Sequence, residues 1–195
     1  MKPSITIYSA AQLFARHEMT VESFISFAAA SGFEGVDLGY YWEDKERELP
    51  LVEKWLARAG IALSGYIVGN NFGGVAGTDQ APAEVVKVKT AVDEACALGA
   101  PTLRIFAGGR EGLAWEEGKW LILDLFRECT AYAEKRNVIL ALEDHHGLAA
   151  NSTQLLFYLH QINSPFFRFN VDIGNFLFGG EEPVAGTTKT APYAA

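Results

Sequence analysis

The chain has 195 residues, of which 49% are hydrophobic and 21% are charged, and its formal net charge is −8. This apolar content is too high for a disordered chain, and no apolar run approaches the ~18 residues of a membrane-spanning helix. The acidic balance argues against a general nucleic-acid-binding surface, because such surfaces carry an excess of lysine and arginine.

Short apolar runs alternate with longer stretches of helical periodicity along the chain. Six runs are typical of strands, at 5–9, 36–38, 61–68, 102–106, 138–143 and 167–173. Helices are predicted between them, at about 20–32, 50–60, 82–98, 119–136 and 151–163, with a weaker one from 183. Two long glycine-rich loops, 69–77 and 107–118, are candidates for mobile lids.

The two cysteines, Cys96 and Cys129, are too few for a disulfide framework, and both fall in helical patterns. The N-terminal residues show neither the long apolar segment nor the cleavage site of a signal peptide. We therefore expect free thiols in a reducing compartment, which predicts a cytoplasmic protein.

The order of elements is β-α repeated six times, with a mean unit of roughly 32 residues, which predicts an α/β protein with a parallel sheet. Two architectures fit this order, a doubly wound open sheet and a barrel. The central strands of an open sheet are apolar on both faces, whereas Leu103 and Ile105 alternate here with Thr102 and Arg104. No GxGxxG or Walker loop follows the first strand. The pattern favours a TIM-barrel type (βα) repeat, in a single domain over 1–195, with its chemistry at the C-terminal ends of the strands.

Two carboxylates, Glu143 and Asp172, lie at the C-terminal ends of adjacent predicted strands. In a barrel both would point into the mouth, where neighbouring carboxylates repel each other unless a cation lies between them. The pair predicts a divalent metal site, suited to Mg²⁺ or Mn²⁺, or to Zn²⁺ or Co²⁺ if a histidine joins. The alternative is that both are solvated acids at loop edges.

Three polar residues near the same strand ends are candidates for substrate binding. His145 shares the parity of Glu143 and is a ligand, a substrate contact or only part of a polar β-α loop, whereas His146 would point away. Arg104, at an inward position, needs a partner, and Glu143 on the next strand is available. Asn175 follows the last strand and is either a residue that binds a sugar hydroxyl or only a turn residue.

Two aromatic residues, Tyr8 and Trp115, lie at or beyond strand ends. Their rings would either line a pocket for a polyol or serve only in packing. The sequence contains no GxSxG elbow and no HExxH motif, which argues against an α/β-hydrolase or a zincin protease.

Several segments resemble the sugar phosphate isomerase/epimerase family, which is part of the xylose isomerase-like TIM-barrel superfamily. They are VILALEDHHG at 138–147, NSTQLL at 151–156 and FNVDIGNF at 169–176. GFEGVDL at 32–38 and LGAPTLRIF at 98–106 resemble the second and fourth strands of that family. The resemblance covers essentially the whole chain.

The resemblance implies that Glu143 and Asp172 bind one divalent metal (Mn, Mg, Co or Zn) and that the substrate is a small sugar or polyol. It also implies that Glu143 removes a proton beside a substrate carbonyl, giving an enediolate-like intermediate. Two further metal ligands are implied, a histidine ending strand seven and a glutamate ending strand eight. Because the sequence carries six of the eight units, we expect an incomplete barrel that holds its metal weakly or not at all.

Three functions remain open at this point. The first is a metal-dependent isomerase or epimerase of a sugar, polyol or sugar phosphate. The second is a non-catalytic carbohydrate-binding or interaction module, and the third is an inosose-type dehydratase that shares the metal site. Because six strands leave two open sheet edges, we also expect a homo-oligomer.

Overall fold

The computed structural model describes residues 2–195, and the six strands found there form one parallel sheet in chain order. They are β1 (Ser4–Thr6), β2 (Gly35–Leu38), β3 (Ala62–Ile67), β4 (Thr102–Ile105), β5 (Ile139–Glu143) and β6 (Phe167–Asn170). Each strand pairs with the next in sequence, so every βα unit advances the sheet by one position. The α/β fold of six parallel (βα) units predicted from the alternation is confirmed.

The helices connect the strands and cover one face of the sheet. They are α1 (Ala11–Ala15), α2 (Val21–Ala30), α3 (Lys45–Glu48), α4 (Val52–Ala59), α5 (Phe72–Val75), α6 (Ala81–Ala97), α7 (Trp115–Glu134), α8 (Ser152–Ile162), α9 (Asn175–Phe178) and α10 (Pro183–Thr190). Local sequence sets several helix ends, since Thr20 and Asn151 cap α2 and α8, and Gly60 ends α4 with φ +66°. In the part of the chain that the structure describes, no helix is long and apolar enough to cross a membrane.

The hydrophobic core lies between the outer face of the sheet and the helices. Leu103, Leu140 and Phe167 on that face are completely buried. Phe126 of α7 packs edge-on against Phe167, with ring centroids 5.5 Å apart. The apolar residues that alternate along the strands therefore meet the helices, as the parity of the sequence predicts.

The inner face of the sheet carries small and polar side chains. Near the N-terminal ends of the strands, the Ser64 hydroxyl donates to Asp37 Oδ1 at 2.6 Å and contacts the Ser4 hydroxyl. Nearer the C-terminal ends, Arg104 forms an ion pair with Glu143. This face is therefore built from hydrogen bonds and charge pairs, where the interior of a typical TIM barrel is filled by branched apolar side chains.

Five of the six predicted strands were longer than the observed ones, and two of them extended three residues past the observed C-terminal end. The first strand is only Ser4–Thr6, and a 3-10 helix (Ile7–Ala10) follows it, so Tyr8 lies in that turn. The last strand ends at Asn170 instead of reaching residue 173. There the Asp172 side chain accepts hydrogen bonds from backbone N–H groups further along the chain and turns it into α9.

The helix predicted from about residue 119 begins four residues earlier, at Trp115. Gly118 made the sequence before residue 119 look like a loop, since glycine disfavours helix. In the structure Gly118 is buried on α7, and a Cβ there would lie 2.7 Å from Leu148 side-chain carbons. Close packing of the helix against Leu148 therefore overrides the local preference.

Candidate functional site

A pocket of about 430 Å³ opens at the C-terminal ends of the strands. Six of the seven site residues predicted from sequence line it, namely Tyr8, Arg104, Glu143, His145, Asp172 and Asn175. The seventh, Trp115, lies away from this pocket, where its ring packs edge-on against Phe157 and Tyr158 of α8. The strand-end rule thus brings together residues at or just beyond the C-terminal ends of β1, β4, β5 and β6. It fails for Trp115 because that residue already belongs to a covering helix.

Glu143 ends β5 and lies deepest among the acids of the pocket, with its side chain 6% exposed. Its Oε2 is 3.0 Å from Arg104 Nη1 and accepts a hydrogen bond from Asn170 Nδ2, also at 3.0 Å. Its Oε1 has one long contact, with Asn175 Nδ2 at 3.5 Å. One carboxylate oxygen is therefore held in place while the other remains available toward the pocket.

Burial raises the pKa of Glu143 to about 7, against the opposing effect of the Arg104 cation. The nearby Asp172 carboxylate raises this pKa further, because two like charges disfavour each other's ionised form. A carboxyl group that titrates near neutrality can both take up and release a proton under physiological conditions.

The ion pair predicted between Arg104 and Glu143 is present. The Arg104 side chain is only 16% exposed, and its guanidinium lies 5.4 Å from the centre of the Phe106 ring. Within residues 2–195 its buried Nε has no hydrogen-bond partner. Arg104 therefore serves mainly to hold Glu143 and to stack on the aromatic wall of the pocket.

Asp172 lies two residues beyond β6, and its carboxylate is at the pocket rim. Its Oδ1 accepts hydrogen bonds from the backbone N–H groups of Gly174 at 2.9 Å and Asn175 at 3.3 Å. Its own N–H donates to Asp144 Oδ1 at 2.6 Å. Both the backbone and the side chain of Asp172 are thus fixed at the beginning of α9.

The two histidines both line the pocket, with ring centroids 4.2 Å apart. His146 was predicted to point away, and this was wrong because β5 ends at Glu143 and the alternation of side chains ends with it. The His145 ring packs edge-on against Phe106 at 5.2 Å. Burial lowers the pKa of His145, and His146 and Arg104 lower it further, so its imidazole is neutral at pH 7.

Three residues that sequence reasoning missed also shape the site: Tyr40, Asn70 and Asp144. Asn70 is buried, and its amide pairs with the backbone of Phe106, donating to the carbonyl at 2.7 Å and accepting from the N–H at 2.9 Å. Tyr40 lines the pocket beside Arg104. Asp144 is completely buried, and this burial raises its pKa to about 7. Parity pointed it away from the pocket, and only the three-dimensional structure shows its bond to Asp172.

The loops predicted as candidate lids contact each other closely at the rim. Asn71 Oδ1 accepts a hydrogen bond from Gly109 N at 2.9 Å, and Leu148 N donates to Gly108 O at 2.8 Å. A Cβ at Gly147 would lie only 2.2 Å from Gly108 O. Backbone contacts of this kind, which glycine alone permits, join the loops after β3, β4 and β5 into one wall.

A divalent cation fits the donor chemistry of the pocket in part. Glu143 and Asp172 supply carboxylate oxygens, the ligands that hard cations prefer, and their repulsion would be relieved by a cation. Residues 2–195, however, contain no group of three or more His, Cys, Asp or Glu side chains placed to hold a metal ion. Because a catalytic metal usually has three protein ligands, these two residues provide only part of a coordination shell.

Solved structures with the same fold include functionally different proteins. A probable 3-DHS dehydratase, AsbF, from Bacillus anthracis is 20% identical with a TM-score of 0.74, covering 100% of this chain and 71% of that chain. A sugar phosphate isomerase/epimerase from Parabacteroides distasonis is 14% identical with a TM-score of 0.73, covering 99% and 72%. An IolI protein with a bound zinc atom is 15% identical with a TM-score of 0.77, covering 93% and 66%. At these identities the likeness shows the fold.

No curated protein matches this sequence. A family model does match, over residues 25–194, and it describes the xylose isomerase-like TIM barrel. This match spans most of the chain and agrees with the six parallel (βα) units. The chain therefore belongs to the xylose isomerase-like TIM barrel family.

Proposed function

We propose that the protein is a metal-dependent isomerase or epimerase of a small sugar, polyol or sugar phosphate, acting by removal of a proton beside a carbonyl. The observation that carries this proposal is the placement of the Glu143 carboxyl group, which is buried at the pocket with Oε2 held by Arg104 and Asn170. A carboxylate held in this way can take a proton from a substrate bound in the pocket. The similar isomerase/epimerase structure supports the same class of reaction.

In this proposal Glu143 takes the proton through Oε1. Arg104 and Asn170 hold Oε2, so the free oxygen keeps a fixed direction as the proton moves. Glu143 and Asp172 would hold a divalent metal, with Mn, Mg, Co and Zn as the candidates. When bound, such an ion would polarise the substrate carbonyl and would relieve the repulsion between the two carboxylates.

The rest of the pocket suits a polyhydroxylated ligand. Its volume of about 430 Å³ lies in the range of small-molecule sites. Tyr8 and Phe106 supply aromatic surface, and Asn175 supplies an amide that can exchange hydrogen bonds with hydroxyl groups. Because the His145 imidazole is neutral, it can also donate to or accept from a hydroxyl.

A dehydratase is the second candidate, and the similar dehydratase structure favours it. Dehydration of a hydroxylated carbonyl compound begins with the same proton removal, and the β-hydroxyl then leaves as water after taking up the proton that Glu143 accepted. Glu143 would serve either reaction as the base. The two reactions therefore share their first step and differ only in the second, which is reprotonation in one case and loss of water in the other.

We further propose a cytoplasmic location and self-association. Cys96 and Cys129 are both free thiols, as expected in a reducing compartment. Among the described residues no strand pairs with the outer edge of β1, whereas Ala195 N donates to Phe169 O beside β6. The β1 edge is therefore the one we expect to meet a second copy.

Calorimetric titration with Mn²⁺ tests the metal site. We expect measurable binding by the wild type, loss of it in Glu143→Gln, and no change in the matched control Glu181→Gln. Glu181 is a carboxylate that accepts hydrogen bonds from Ser152 and lies outside the pocket. Equal binding by the wild type and Glu143→Gln, or binding by neither, would overturn the metal assignment.

Proton exchange in D₂O then tests the reaction, with Mn²⁺ present and a panel of ketoses as substrates. We expect deuterium at the carbon beside the carbonyl, and none in Glu143→Gln. Loss of water from an inosose would establish the dehydratase instead. Binding of these compounds with neither exchange nor water loss would show a carbohydrate-binding module and would overturn the enzymatic proposal.

A further inference from the structure

Asp144 is a buried acid that the proposed reaction does not use. It follows Glu143 directly, yet its side chain is absent from the pocket lining and is completely buried. Its Oδ1 accepts a hydrogen bond from Asp172 N at 2.6 Å. Within the described residues its Oδ2 has no hydrogen-bond partner. A buried carboxyl with one unpartnered oxygen is costly, so its place needs an explanation.

The bond between Asp144 and Asp172 begins where the sheet ends. The register of β5 and β6 runs to the pair Glu143–Asn170, and Asp172 lies two residues further along. At that level the Asp172 N–H meets the side chain of Asp144. The Asp144 side chain thus adds one more hydrogen bond between the two chain segments beyond the end of the sheet.

Asp172 depends on this connection for its position. Downstream, its own carboxylate is tied to Gly174 and Asn175 of the following turn. Those bonds orient the side chain relative to α9, and they reach β5 only through the long 3.5 Å contact of Asn175 Nδ2 with Glu143 Oε1. The 2.6 Å bond to Asp144 is therefore the shorter link from Asp172 to the end of the strand that carries Glu143.

We propose that Asp144 is a positioning residue, which holds Asp172 at a fixed distance from Glu143 by accepting the Asp172 amide hydrogen. This inference rests on the proposed function, in which Glu143 and Asp172 share a divalent metal. Because the Asp144 acceptor is completely buried, water competes weakly for this bond, and the spacing of the two carboxylates would be set before a metal binds.

Mn²⁺ titration of Asp144 variants tests the inference. We expect about 10- to 100-fold weaker binding in Asp144→Ala, the usual loss when a residue supporting a metal ligand is removed. Asp144→Asn keeps an oxygen that can accept the amide, and it should restore binding to nearly the wild-type affinity. Glu181→Ala is the matched control, since Glu181 also accepts a backbone amide, that of Ser152 at 2.7 Å, but outside the pocket. Wild-type affinity in Asp144→Ala would overturn the inference.

Amide NMR without metal separates this inference from the metal assignment. The Asp172 amide hydrogen should exchange slowly in the wild type and rapidly in Asp144→Ala, and its resonance should move in Asp144→Asn because a neutral oxygen replaces a carboxyl oxygen. If the Asp172 amide is unaffected in both variants, Asp144 does not position Asp172. If this amide responds while the wild type binds no Mn²⁺, the positioning stands and the metal proposal fails.

Discussion

Replacement of Arg104 by methionine would remove the cation that faces Glu143 while keeping most of the side-chain volume. The two groups are 3.0 Å apart, with side chains 16% and 6% exposed, so little water is available to take over the role of the cation. Burial already raises the pKa of Glu143 to about 7 although Arg104 lowers it. Without Arg104, the pKa of Glu143 in the folded protein must rise above 7.

The magnitude comes from proton linkage. An acid whose pKa is higher in the folded than in the unfolded state loses stability as the pH rises between those two values. For the wild type the loss of stability ends near pH 7, whereas for Arg104→Met the stability continues to fall at higher pH. The difference in unfolding free energy should therefore grow by about 1.4 kcal/mol for each pH unit between 7 and the raised pKa of Glu143 in the variant, which sets an upper limit of ~2 kcal/mol at pH 8.5. This is below the ~3–5 kcal/mol cost of leaving a buried charge unpaired, since Glu143 can take up a proton instead.

Urea unfolding followed by circular dichroism at pH 5.5 and pH 8.5, with a chelator present, measures this difference. The buried Asp144 titrates in both proteins, so its contribution cancels. In a Glu143→Gln background, Arg104→Met should cost the same at both pH values, which provides the control. An equal cost at both pH values in the native background would refute the view that Arg104 stabilises the ionised form of Glu143.

Two further predictions concern the rim and the sheet edge. Gly147→Ala should lower the melting temperature far more than Gly112→Ala, although both glycines have positive φ (+85° and +78°). The reason is that a Cβ at Gly147 would lie 2.2 Å from Gly108 O, whereas a Cβ at Gly112 would meet nothing within 4 Å. For Gly112→Ala the strained φ alone costs about 1–2 kcal/mol, or roughly 2–8 °C, and equal losses in the two variants would contradict the rim contact. Multi-angle light scattering should show a mass that increases with concentration as β1 edges meet, and a monomer at every concentration would contradict self-association.

Sequence alone could predict the order of the (βα) units and which side chains of β4 to β6 lie on the inner and outer faces of the sheet. Alternation of apolar and polar residues has a period of two, so it placed Arg104 and Glu143 on the same face of neighbouring strands. That was sufficient to predict their ion pair, which the structure contains. Patterns of this kind succeed because they depend on local geometry that each strand repeats.

The predictions failed where regular structure ends. Parity was extended to His146, beyond the last residue of β5, and Trp115 was assigned to a loop that is in fact the start of α7. The bond from Asp172 to Asp144 joins residues 28 positions apart. Its existence depends on how two chain segments leave the sheet, and neither propensity nor periodicity carries that information.

The polar inner face of the sheet separates the pocket from the core. The apolar residues that stabilise the fold meet the helices on the outer face, whereas Ser4, Ser64 and Thr102 project inward and contact one another or neighbouring backbone. Uncharged inner-face positions can therefore be exchanged without removing core contacts. Such a scaffold is suited to divergence of specificity. A directed-evolution library restricted to uncharged inner-face positions that also line the pocket, such as Thr6, would sample new ligand preferences at little cost in folding, whereas Ser4, Ser64 and Thr102 lie outside the pocket lining.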